Sequence, residues 1–520
     1  MSLSRRSGGA SLTVHAGHNH RGDLELETDV LVVGSGASGA VVARTMAEAG
    51  FRVLVLEEGP YIPALTHGTF RPSESLRYAW RGGGMTVAFG LGDTPAINVT
   101  MGRVVGGSSV LTGGVCFRIP GHILHTWRKE RGLTEFTEER LEPYYAEVEK
   151  NLHVEEVPAS MRSRSTQLFC EGCSKSGFEA KPMRRNTDGC NGCGRCNFGC
   201  PEAAKMSVDI SYLPQAAAHG AEIWSDCLVE RVTMRGDRAV GVEGRVLNGP
   251  AGKPGGKLVV RARRVVLAAG AAHTPLLLHR SGVSGVSGQV GKNVTVHPSF
   301  RVIARFKESV QGWKGSLQSA YVDAFEAEKL TFTSLFIPTS VLAATMPGVG
   351  PAHTEKARDV SRLAIFGGLI HDEGGGRIWQ NPFGREPILT YRMDKRDRAS
   401  IPRLIRIMGK AFFAAGAEEI FMPILGAEGV TKDAFESFPL EDVKAPFIEC
   451  SSQHPLGSCR MGKTREHSVV DTFGKVWDTR ELYVADGGIV PTSLGVNPQL
   501  SIMTLATHVA HNLRETKLLG

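Results

Sequence analysis

Residues Thr28–Gly59 read TDVLVVGSGASGAVVARTMAEAGFRVLVLEEG. The apolar run from Asp29 to Val33 lacks polar alternation, which predicts a strand buried on both faces. Gly34-x-Gly36-x-x-Gly39 follows, then small and apolar residues at helical spacing to Gly50, then a second buried strand from Arg52 to Glu57. Glu57 stands 23 positions after Gly34. Strand, glycine turn, helix, strand and acid at that offset predict a dinucleotide-binding unit. Gly34 permits the tight turn, Gly36 lets the backbone approach a pyrophosphate, and Gly39 lets the helix pack on the strand. Ala37 and Ser38 open the helix whose N-terminus faces the phosphates, and Glu57 accepts from ribose hydroxyls. The fingerprint alone does not separate NAD from FAD.

The rest of the chain is organised around this unit. Its 520 residues suffice for several domains, and 42% hydrophobic content excludes wholesale disorder, collagen and a simple coiled coil. The 62 glycines suit tight turns and close backbone approaches to a ligand. A net charge of +7 is too small and dispersed for a nucleic-acid partner. No apolar run reaches the ~18 residues of a membrane span, so no span is expected. The Arg5-Arg6 pair precedes a polar, glycine-rich stretch with no hydrophobic region, so residues 1–25 read as a flexible tail. A β-rich block runs from Ala221 to Gly270, and Pro275 suits the first turn of the next helix. Helical spacing recurs from Leu141 to Leu152, from Asp397 to Ala415 and from Leu500 to Leu513. The expected division is a discontinuous nucleotide domain from 26–115, 205–300 and 446–520. A substrate domain is expected from 116–204 and 301–445, with a cysteine-rich segment at 170–201.

Further motifs carry a resemblance. Gly102-Arg103-Val104-Val105-Gly106-Gly107-Ser108-Ser109 resembles the first signature of the glucose–methanol–choline (GMC) oxidoreductases, and Gly270 to Gly282 is similar to their second. His454-Pro455-Leu456-Gly457-Ser458-Cys459-Arg460-Met461-Gly462, Asp486-Gly487 and Asn497-Pro498-Gln499 resemble the catalytic and flavin-closing segment. The matches come in family order. The resemblance implies non-covalent FAD and an α/β fold of two domains. One is a Rossmann-type FAD domain, the other a substrate domain with an antiparallel sheet backed by helices. It places Arg103, Gly106, Gly107, Ser108, Ser109, Thr112, Val229, Ala269, Gly270, Asp486, Gly487, Asn497, Pro498 and Gln499 at the cofactor. Two departures stand out: Thr112 replaces the usual Asn, and Ser284 replaces the usual closing Gly.

Oxidising an alcohol to a carbonyl removes a proton from oxygen and a hydride from carbon, so a base is needed. Among 17 histidines, His454 in the matched loop is the candidate base, with Asn497 holding the substrate oxygen. His297 is the next candidate, and His15, His18 and His20 read as solvated tail residues.

Cys190-x2-Cys193-x2-Cys196-x3-Cys200-Pro201 has the spacing of a bacterial ferredoxin run. An iron–sulfur cluster, [4Fe-4S] or [3Fe-4S], is the leading occupant. Zinc is the competitor, with Cys170-x2-Cys173 as a second knuckle, and an empty or disulfide site is the third possibility. Cysteines clustered in a chain without an export signal favour metal and a reducing, cytoplasmic setting. Arg184, Arg185 and Arg195 flank the run as a candidate docking face for an acidic electron-carrier protein. Cys116, Cys227, Cys450 and Cys459 read as small buried hydrophobes. Relatives that use such chemistry include dehydrogenases, oxidases returning electrons to O2, and lyases with a structural flavin. The substrate expected from the resemblance is a bulky apolar alcohol.

Overall fold

The computed structural model describes residues 12–249, 252–283, 287–516 and 518, so Arg5, Arg6 and Ser284 lie outside the described residues. The run Asp29–Val33 ends the strand Leu24–Val33, the glycine turn leads into the helix Ala37–Glu48, and Val53–Leu56 forms the second strand. Val30 to Val33 pair in parallel with Val53 to Leu56. These residues are almost wholly enclosed, as expected for parallel strands covered on both faces.

The first sheet has eight strands. Its parallel part comprises His15–Ala16, Glu222–Ser225, Val53–Leu56, Leu24–Val33, Lys253–Leu267 and Leu482–Val484. Cys227–Arg235 and Arg238–Asn248 extend it as an antiparallel meander beside Lys253–Leu267. The second sheet has eleven strands, mostly antiparallel, with Ser299–Arg305, Leu363–Ile370 and Leu330–Leu335 at its middle. The helices Arg164–Lys175 and Lys395–Ala414 pack together behind it. Asp394 and Asp397 form a reciprocal cap that starts the longer helix, and Phe412 stacks on Phe366 at 3.5 Å.

Three expectations need correction. Residues 12–25 are not a loose tail, because His15–Ala16 extends the sheet beside Trp224 and His18 Nδ1 lies 2.8 Å from Asp226. Val87–Gly90, Ile97–Val99 and Cys450–Ser452, assigned to nucleotide-domain stretches, pair into the second sheet. Conversely, the helices Gly121–Arg131 and Glu138–Asn151 join the core of the first sheet. Leu141, Tyr145 and Val148 face the C-terminal helix Gln499–Glu515. Sequence contiguity misled in each case because the partner surface lies hundreds of residues away.

One buried ion pair ties the first sheet to the C-terminal helix. Arg264, with no exposure, donates to Glu481 at 2.7 Å and to the Leu513 carbonyl at 2.8 Å, closing the end of the C-terminal helix. Arg264→Met strands a buried carboxylate, so chemical denaturation is expected to show a loss of about 3–5 kcal/mol. The double variant Arg264→Met/Glu481→Leu should recover most of it. Equal loss in both would show that the guanidinium acts through packing alone.

Candidate active site

The carboxyl ends of four parallel strands open on one cavity of about 430 Å3. Val33 leads to Gly34, Leu56 to Glu57, Leu267 to Ala268 and Gly270, and Val484 to Asp486. That is where open α/β sheets bind ligands.

The glycines divide the labour. Gly34 has φ +102°, and a Cβ there would stand 2.3 Å from the Ala268 carbonyl oxygen. A Cβ on Gly39 would stand 1.9 Å from the Gly34 oxygen. Both are packing positions. At Gly36 a Cβ would meet only the Gly107 Cα, at 3.8 Å, so the space is open. The helix Ala37–Glu48 starts there without a side-chain cap, leaving amides for an anion. Glu57 accepts from the Ser35 amide at 3.1 Å, its hydroxyl at 2.7 Å and the Gly59 amide at 2.8 Å. Burial pushes its carboxyl above the usual range. Ser35 Oγ also accepts from Gly106 N at 3.0 Å, locking the second glycine loop to the first.

The cavity brings together His454, Asn497, Gly34, Gly36, Ala37, Ser38, Glu57, Gly107, Ser108, Ser109, Thr112, Val229, Ala269, Gly270, Asp486, Gly487, Pro498 and Gln499. Gly39, Arg103 and Gly106 lie off its wall. Gly39 packs the helix, Gly106 turns its loop at φ +92°, and Arg103 stands 3.7 Å from Glu58. Asp486 accepts from Gly270 N at 2.9 Å and Gly488 N at 2.8 Å, clamping two loops.

A charged end of the cavity was not singled out in the sequence, although His273 falls within the second signature. Arg81 donates to Glu58 at 2.6 Å and to Glu386 at 3.0 Å, and His273 lies 3.2 Å from Glu386. Burial would raise the Glu386 carboxyl, but His273 and Arg81 bring it down to about 2. Glu386 comes from a loop with no local signal, and only the fold places it there.

At the other end His454 is half-buried, with Nε2 3.2 Å from the Asn497 amide and Nδ1 3.3 Å from His297 Nδ1. Burial, aided by the neighbouring His297, pushes His454 down to about 3, so the ring is neutral near pH 7. His297 is fully enclosed, and its Nε2 accepts from the Leu494 and Gly495 amides at 2.9 and 3.2 Å. Its ring nitrogens are committed and it does not line the cavity, which leaves His454 as the accessible imidazole. Asn497 Oδ1 and Gln499 Nε2 are buried without partners, while Gln499 Oε1 accepts from Thr112 Oγ1 at 3.0 Å.

Cys190, Cys193, Cys196 and Cys200 surround a second, small cavity. Leu317 lines both cavities, so the two sites are neighbours. The Gly192 amide donates to Cys190 Sγ and the Lys205 amide to Cys200 Sγ, each at 3.4 Å. Cys193 is exposed and Cys196 buried, so the run reaches from the surface inward. Among the described residues, no three His, Cys, Asp or Glu side chains converge on one metal-ion position. Cys170 and Cys173 sit on the helix Arg164–Lys175 and do not reach the run's cavity, so the two-knuckle arrangement is not assembled. The flanking arginines are not a docking face. Arg185 is buried, Arg184 pairs with Glu149, and Arg195 donates to the His67 and Phe70 carbonyls. Cys116, Cys227, Cys450 and Cys459 are buried, and burial raises each thiol.

The N-terminal part of the GMC oxidoreductase description matches residues 28–299, and its C-terminal part matches 380–506. The chain belongs to the GMC oxidoreductase family. It is 35% identical to an uncharacterized GMC-type oxidoreductase of Mycobacterium tuberculosis over 93% of this chain and 75% of that protein. It is 31% identical to another of Sinorhizobium fredii over 96% and 98%. A long-chain-alcohol oxidase of Arabidopsis thaliana is 29% identical over 95% and 69%. The fold is similar to pyridoxine 4-oxidase from Mesorbium loti, with TM-score 0.69 at 17% identity over 94% and 100% of the chains. Formate oxidase of Aspergillus oryzae gives 0.71 at 17% over 94% and 98%.

The cleft of this GMC oxidoreductase fits the dinucleotide that the family resemblance implies. The open space at Gly36, the uncapped helix start and the partnerless Asn497 Oδ1 and Gln499 Nε2 all await a polar ligand. Gly36→Val should fold and melt like the unaltered chain stripped of cofactor yet fail to retain a dinucleotide, as read by absorbance after desalting. A Gly36→Val protein with full cofactor occupancy would move the pyrophosphate elsewhere.

Proposed function

We propose that this chain is an FAD-dependent alcohol dehydrogenase that oxidises CH–OH to a carbonyl and sends the electrons out through an iron–sulfur cluster. The carrying observation is His454 beside Asn497 on the wall of the strand-end cavity, with the His454 ring held neutral. The first sheet is read as the cofactor unit and the second as the substrate unit.

FAD held on the glycine loops supplies a two-electron acceptor for the hydride leaving the carbinol carbon. The His454 imidazole takes the hydroxyl proton, and the Asn497 amide orients the same oxygen as negative charge grows there. Asp486 and Ser35 hold the loops so that these groups need no rearrangement. A set of apolar side chains that includes Phe300, Leu317, Phe336 and Leu369 also lines the cavity, interleaved with Ser299, Arg301, Gln318 and Thr333. It supports an alcohol carried on a large apolar body, and the long-chain-alcohol oxidase relative points the same way.

The alcohol gives up two electrons and two protons. The protons pass to solvent; a cluster held by Cys190, Cys193, Cys196 and Cys200 would supply one-electron carriage to an acceptor protein. Spacing, amide donors to two of the sulfurs and adjacency to the large cavity support a cluster held by Cys190, Cys193, Cys196 and Cys200. The exposed side at Cys193 is the exit.

His454→Ala should slow flavin reduction by alcohol by about 10^2–10^4-fold in anaerobic stopped flow. An unchanged rate would remove His454 from the chemistry. Because the neutral ring is the base and its ionisation lies near 3, this group supplies a flat pH profile from about 5 upward. The histidine-range rise expected for an ordinary imidazole should be missing. Protein prepared without air should contain iron and acid-labile sulfide, and Cys193→Ser should abolish the cluster absorption while alcohol still bleaches the flavin. Stoichiometric zinc without sulfide, together with one peroxide per turnover, would replace the outlet by a flavin oxidase with a structural metal.

A further inference from the structure

One residue of the cysteine segment, Asn197, lies between two anchored neighbours and lines the large cavity. Lys205 Nζ donates to the Val110, Thr112 and Cys196 carbonyls at 2.6, 2.8 and 2.9 Å. Three acceptors around one nitrogen are the complement of an ammonium, which has three N–H bonds. Arg185 Nε donates to the Gly113 carbonyl at 2.8 Å, and its Nη2 meets Cys196 Sγ at 3.1 Å. Both cations are 1% exposed. They fasten Cys196 to residues 110–113, which continue directly from Ser108 and Ser109 on the cavity wall. On the other side Phe198 is buried against Trp80, and its carbonyl accepts from Ser75 Oγ at 3.3 Å. Asn197 itself is half-buried.

The polar groups of this wall are unevenly used. Ser109 donates to the Gly106 carbonyl at 2.7 Å and Thr112 to Gln499 Oε1 at 3.0 Å, so both hydroxyl hydrogens are committed. Thr112 is also one of the two departures in the sequence, a hydroxyl where an amide is usual. Three cavity-lining amides keep an enclosed atom without a partner: Asn197 Oδ1, Asn497 Oδ1 and Gln499 Nε2. Contacts join them into one neighbourhood. Lys205 draws the Cys196 and Thr112 carbonyls onto one nitrogen, Thr112 meets Gln499, and Asn497 meets His454. An enclosed acceptor without a donor is costly, and a ligand that brings an N–H removes that cost.

We propose that Asn197 is a flavin-contacting residue, whose Oδ1 accepts from an N–H of the isoalloxazine ring and favours its reduced form. Reduction adds N–H bonds to that ring, so an acceptor already fixed in place gains a donor as the ring takes up electrons. Lys205 and Arg185 do the fixing, through Cys196. The cysteine segment then serves the cleft directly, whatever lies between its sulfurs. The inference rests on the FAD reading given above and needs no cluster.

The test is an anaerobic redox titration of the full-length holoprotein, followed by flavin absorbance, with bound FAD counted in each sample. Asn197→Leu, close in volume but without the amide, should keep its FAD. It should nevertheless hold at least tenfold less reduced flavin at a fixed potential, a fall of about 30 mV for two electrons. Asn197→Ser, which withdraws the acceptor from the cavity, should shift in the same direction. If Asn197→Leu does not fold or loses its flavin, the serine variant decides the matter. An unchanged flavin midpoint at full FAD content overturns this inference and leaves the FAD reading standing, even where alcohol binds more weakly. Unaltered protein that carries no flavin overturns the FAD reading, and this inference with it.

Discussion

The strand Lys253–Leu267 is the constraint on which the rest of the structure depends. It is hydrogen-bonded in parallel to Leu24–Val33 and Leu482–Val484 and antiparallel to Arg238–Asn248. Its end delivers Ala268 against Gly34 so closely that no Cβ fits between them. The Ala268 amide also donates to the Val33 carbonyl at 2.8 Å, and the Ala485 amide to the Leu267 carbonyl at 3.0 Å. Three strand ends are thereby fixed at one level. A shift of this strand would misplace the glycine turn, Gly270 and the Asp486 clamp together. Precision in the cleft is inherited from sheet register, held where the carboxyl ends of Leu24–Val33, Lys253–Leu267 and Leu482–Val484 are buried.

The strand-end architecture also explains what was legible in the sequence. Gly34, Gly36, Gly39 and Glu57 act within one local turn, so spacing alone displays their roles. His454 and Asn497 were visible through the family motif, not through any physical pattern, and their contact spans 43 residues of chain. The Arg81–Glu58–Glu386–His273 cluster had only His273 in a matched motif, and Arg81 and Glu386 are ordinary charged residues until the sheets meet. The helix Glu138–Asn151 shows a related failure. Its Leu141, Tyr145 and Val148 stripe reveals a buried face, but a stripe does not name its partner. The arginines beside the cysteine run look like surface charge in one dimension. Arg185 turns inward because Cys196 and the Gly113 carbonyl are there to receive it.

The two ends of the molecule's chemistry use burial in opposite ways. At the histidine pair, desolvation favours neutral rings, and the conflict between two imidazoles 3.3 Å apart is removed because neither is charged. The His454 ring is therefore neutral near pH 7. At the cysteine run, desolvation raises Cys190 and Cys193, while Arg185 and Lys205 outweigh it at Cys196 and lower that thiol. Burial thus keeps a ring neutral in one place and is outweighed by neighbouring cations at Cys196.

That asymmetry carries a consequence for the cysteine loop. Enclosing an unpaired cation costs several kcal/mol even after the protein relaxes around it. Hydrogen bonds to carbonyls lower this cost for Lys205 and Arg185, and each cation also has a second kind of neighbour. Arg185 Nη2 meets Cys196 Sγ at 3.1 Å, and the buried Asp209 acts on Lys205. Because the carbonyls that hold the Lys205 ammonium belong to Val110, Thr112 and Cys196, the same bonds that make the charge tolerable also fix the cysteine loop against the segment that lines the cleft.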